Sequence, residues 1–147
     1  MSFTYNYTKY FQRKGEITMK KLSTTFTKAM EIGAKFNELY GEDERTSDWS
    51  GSEECSEMTK KVIELMEANN ELTIEQVVKE IVETMLENST DRDDHMWDDY
   101  CKGFLAGQIL GLPTEENISK VNQAEELWDN NHDYGYYQEV LNEVLTM

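Results

Sequence analysis

The residues from Leu72 to Glu87, LTIEQVVKEIVETMLE, leave this chain little choice but to form a helix. Thr73 and Gln76 stand at capping-box spacing, in which the threonine side chain accepts from the third helical amide and the glutamine side chain returns to the cap amide. Leu72, just ahead, can staple onto Val77. Ile74, Val77, Val78, Ile81, Val82, Met85 and Leu86 then recur at the spacing of one wide helix face, with Glu75, Glu80, Glu83 and Glu87 on the remainder. The β-branched residues alone would also suit a strand; cap and period together decide for helix. Such a face must be covered by other elements, so this segment is expected at the core.

Similar signals recur along the chain, and the only proline, Pro113, leaves long helices uninterrupted. Ser23 or Thr24 can cap a first helix with Phe26, Met30, Gly33, Phe36 and Tyr40 along one side and Gly41 as its stop. A second is expected from Ser52 to about Asn69, with Cys55, Met58, Val62, Leu65 and Met66 as its stripe and Glu57 four residues ahead of Lys61. After the segment from Leu72, a fourth is expected from a cap at Ser89 or Thr90 to Gly111, with Asp93 in its first turn. On that helix Asp91, Asp94 and Asp98 would fall on one side, and Met96, Trp97, Tyr100 and Phe104 on the other with Gly103 and Gly107. Each interior glycine costs about 1 kcal/mol relative to alanine, which implies a close backbone approach. That approach is either an internal crossing or the seam of a homodimer; the shared face with Tyr100 and Phe104 favours the internal one. Thr114 caps a fifth helix, with Ile118, Val121, Leu127 and Trp128 as its apolar candidates. NNHDYG breaks it, and a sixth from about Tyr136 places Tyr137, Val140, Leu141, Val144 and Leu145 inward.

The fold expected is therefore all-α: a compact bundle of five to six helices over residues 19–147. Residues 1–18 differ, being aromatic and basic without helical period. Phe3, Tyr5 and Tyr7 alternate with polar residues and Lys14-Gly15 can turn the chain, so this arm can be extended or a small β-hairpin. Arg13-Lys14-Gly15-Glu16 can also be encoded by a purine-rich tract resembling a bacterial ribosome-binding site, which makes Met19 an alternative start.

The formal net charge is −16, unevenly spread. Residues 1–30 hold six basic groups and one acidic, whereas residues 31–147 hold eight basic and 29 acidic. Such a field repels nucleic acid and anionic membrane and attracts basic protein surfaces, although the same charge serves solubility alone in many acidic proteins. Cys55 and Cys101 have no metal-type spacing and are expected as reduced thiols in a cytoplasmic protein. The N-terminus has no apolar core of a secretion signal, and the longest apolar run, Gly103 to Pro113 broken by Gln108, is too short to span a bilayer.

No phosphate-binding, metalloprotease or nucleophile motif occurs, and the many carboxylates single out no acid–base pair, so neither an enzyme nor a cofactor is expected. Asp91, Asp94, His95, Asp98 and Asp99 could lean a metal between successive helical turns, but a solvated helix face is favoured because metal sites need three or four converging ligands. The candidate partner-binding residues are Glu42, Asp43, Glu44, Asp48 and Trp49 in the loop GEDERTSDWSGS, with Asp91, Asp94, Asp98 and Asp99. Trp49 is read first as a core staple and second as an anchor for a partner.

In charge, size and helicity, though in no motif, the chain resembles phage-encoded DNA mimics, including antirestriction and some anti-CRISPR proteins. That resemblance implies an acidic inhibitor of a basic nucleic-acid-binding nuclease or effector complex, acting in the host cytoplasm without itself binding nucleic acid or membrane. The alternatives are an immunity protein or antitoxin against a basic toxin, a small ligand- or metal-binding helical module, and a plain structural protein.

Overall fold

The computed structural model describes residues 22–88, 97–130 and 134–147. Among them the chain forms α1 (Thr24–Tyr40), α2 (Glu53–Ala68), α3 (Ile74–Glu87), α4 (Asp99–Ile109), α5 (Glu115–Asn130) and α6 (Tyr137–Leu145), with a 3-10 turn at Glu44–Thr46 and no strand. The expected all-α bundle is what forms. The arm or hairpin expected at residues 1–18 lies outside the described residues, as does the alternative start at Met19.

Local chemistry sets most of the boundaries. Ser23, Ser52 and Thr73 each accept a hydrogen bond from the third amide of the following helix, and Thr73 and Gln76 complete the capping box in both directions. Thr114 does the same for α5 through the Asn117 amide. At the end of α4, Gly111 turns to a φ of 105°, a left-handed conformation that glycine adopts without a Cβ penalty.

The start of α4 is corrected by the structure. Its cap is Asp98, not Ser89 or Thr90: Asp98 is extended, and its side chain accepts from the Cys101 amide. Trp97 is likewise non-helical, so α4 does not extend back through it. Asp91, Asp94 and His95 themselves lie outside the described residues.

The crossing of α1 and α4 is the centre of the molecule. A Cβ added at Gly33 would strike the Phe104 carbonyl, one at Gly103 the Phe26 carbonyl and the Ala29 side chain, and one at Gly107 the Met30 carbonyl. The expected glycine pair thus serves an internal crossing, and a third glycine on α1 completes it. Around this seam α4 also meets α2 and α6, α3 closes on α1 and α2, and α5 packs on α6. The Phe36 ring lies 4.9 Å from Phe104, 5.5 Å from Tyr40 and 6.2 Å from Trp49 between centroids. On α6, Tyr137, Val140, Leu141 and Val144 are buried, but Leu145 is 46% exposed, contrary to expectation. It lies a further 100° round the helix from Val144, off the inward face. No described helix is long and apolar enough to cross a membrane.

Candidate interaction surface

The loop after α1 is built around Arg45. Asp43 caps the 3-10 turn by accepting from the Arg45 amide at 2.9 Å. The Arg45 guanidinium donates back to Asp43 Oδ2 at 2.9 Å and to both oxygens of Glu83 on α3, at 3.1 and 3.0 Å. Tyr40 donates its hydroxyl to the same Glu83 carboxylate at 3.0 Å. This two-sided grip of a planar guanidinium fixes the turn against the outer face of α3. Arg45 holds both carboxyls below their usual range, Glu83 being lowered further by Tyr40. Burial, followed by the bond to Glu83, pushes Tyr40 up to about 12.

The loop candidates therefore divide. Glu42, Glu44 and Asp48 are exposed and have no ion pair among the described residues, whereas the charge of Asp43 is met by Arg45. Trp49 is 4% exposed and stacked on Phe36, so it is a core staple and no surface anchor. Glu80, Glu83 and Glu87 form an exposed stripe on α3 at three- and four-residue spacing, and the Arg45 bridge joins it to the loop. Their helical period was visible in the sequence. Their junction with the loop was not, because Arg45 and Glu83 are 38 residues apart.

The start of α4 behaves differently. Asp98 is half-buried, and besides capping the helix it accepts from the Ser56 hydroxyl at 2.7 Å, tying α4 to α2. Asp99 is exposed and accepts from the Ser23 hydroxyl at 2.7 Å, tying α4 to the cap of α1. Next to them Trp97 meets Trp128 and Tyr136 edge to face, at 5.7 and 6.2 Å, and Tyr136 is 44% exposed. Lys102 pairs with Glu125 at 3.1 Å and lies over the Tyr137 ring.

Cations elsewhere are mostly taken up. Lys28, Lys35, Lys61 and Lys120 each lie against a glutamate. The described surface thus keeps a large excess of carboxylates. Among the described residues no three His, Cys, Asp or Glu side chains are arranged to hold a metal, and His132, like His95, lies outside them. In comparisons with known proteins, no family model matches the chain, and neither a curated protein nor a solved structure matches it.

Proposed function

We propose that the protein is an acidic inhibitor that occupies the basic, nucleic-acid-binding surface of another protein. The observation that carries this reading is the junction of α3 and the loop, where Arg45 ties Asp43 to Glu83 within the exposed stripe of Glu80, Glu83 and Glu87. The stripe spans about 10 Å of helix axis at 1.5 Å per residue. Duplex DNA presents roughly six phosphates over that length. The three stripe carboxylates, with Asp43 joined to them through Arg45, set a row of acid along the helix on a backbone that a nuclease cannot cut. Fixing the loop also removes part of the ordering cost of association.

The class of partner follows from the sign of the field: a nuclease or effector complex that grips nucleic acid through Lys and Arg. A phage-encoded antirestriction or anti-CRISPR role, exercised in the host cytoplasm, is the setting that fits it. Affinity capture from host lysate at low and high salt, read by mass spectrometry, tests the reading. The expected result is a nucleic-acid-binding protein retained at low salt and released at high salt. Capture of a dedicated toxin that binds no nucleic acid would replace it with the immunity-protein reading.

A further inference from the structure

The two cysteines of the chain, 46 positions apart, bring their sulfurs to 3.9 Å in the interior. Both are fully buried. Each stands three residues after the cap of its helix: the Cys55 amide donates to Ser52 at the start of α2, and the Cys101 amide to Asp98 at the start of α4. The N-terminal ends of two helices therefore converge on one pair of thiols. Burial pushes the Cys55 thiol up.

We infer that Cys55 and Cys101 are an oxidisable dithiol that a small hydroperoxide converts to an intramolecular disulfide joining α2 to the first turn of α4. One sulfur, as thiolate, attacks a peroxide oxygen; the O–O bond breaks, hydroxide leaves and a sulfenic acid forms. The second sulfur attacks the first, the S–O bond breaks, a second hydroxide leaves and the S–S bond forms. The thiol protons neutralise both hydroxides, so two thiols and one hydrogen peroxide give one disulfide and two waters. The sulfurs must close from 3.9 Å to about 2.05 Å, a movement of roughly 1.9 Å in all. Hydrogen peroxide is small enough to enter on local opening, and burial that keeps the Cys55 thiol protonated makes the reaction slow at neutral pH. The bond would lock the junction that Asp98 and Ser56 already hold by hydrogen bonding.

The test treats the full chain with hydrogen peroxide at mildly alkaline pH, alkylates remaining thiols, and maps peptides without reduction. The expected result is a monomer lighter by two hydrogens, in which a Cys55 peptide is linked to a Cys101 peptide. Its Tm should rise by about 5–15 °C, reversed by dithiothreitol, as closing a loop of this length implies. A Cys101→Ala protein should show neither the link nor the rise. Oxygen added to single cysteines without a link, disulfide-joined dimers, or full alkylation of both thiols in the wild type would each overturn the inference.

Discussion

The carboxylate of Asp98 accepts from both the Cys101 amide and the Ser56 hydroxyl, and shortening it removes both bonds together. Asp98→Ala should cost about 1–2 kcal/mol in chemical denaturation, the usual loss for an N-cap. Reversal to lysine should cost at least as much, so Asp98 is a poor position for testing surface charge. Glu31 makes the opposite case. It is 7% exposed, its Oε2 has no hydrogen-bond partner among the described residues, and burial pushes its carboxyl up to about 7. The unfolded chain gives up this proton near 4.5. Between those values the unfolded state is ionised while the folded state keeps its proton, so stability falls as pH rises through that window and stays lowered above it. Glu31→Gln should raise stability above about pH 7 by roughly 1–3 kcal/mol and leave it nearly unchanged at pH 4, as followed by Tm against pH.

At the level of elements, four of the helix starts that the sequence predicts carry local chemistry, whereas α6 begins at Tyr137 without a side-chain cap. Ser23, Ser52, Thr73 and Thr114 each cap where their spacing to the following apolar face places them. The start of α4 is not legible in the sequence, because Ser89, Thr90 and Asp98 are all good caps and nothing local reveals that Ser56 holds Asp98 in place. Gly103 and Gly107 were readable as a close approach because a glycine inside a helix needs a reason. Their partner, α1 at Gly33, could not be read, since any helix with a small residue would have served. This seam gives a direct test. Gly107→Ala sets a Cβ against the Met30 carbonyl, where backbone rather than a flexible side chain must yield. It should lose about 3 kcal/mol or more of stability, whereas alanine at Gly135, which meets only the Glu139 side chain, should change it by less than about 1 kcal/mol.

For the whole molecule, net charge and its concentration beyond residue 30 are visible at once, and the proposed partner takes its sign from them. The sequence could not show how the acids are shared among tasks. Asp43 and Glu83 are tied to Arg45, Asp98 caps a helix and Glu31 is buried. Glu42, Glu44, Asp48, Glu80 and Glu87 remain exposed. Substitution at exposed helix positions should alter stability by no more than about 0.5 kcal/mol, so Glu80→Lys with Glu87→Lys isolates the field from the fold. The most direct measurement adds the protein to its captured partner carrying labelled nucleic acid. The wild type should displace the nucleic acid, and the doubly reversed variant should do so several-fold less well, with a weaker dependence on salt. Nucleic acid that stays bound beside the wild-type protein, or equal displacement by the reversed variant, would contradict the account.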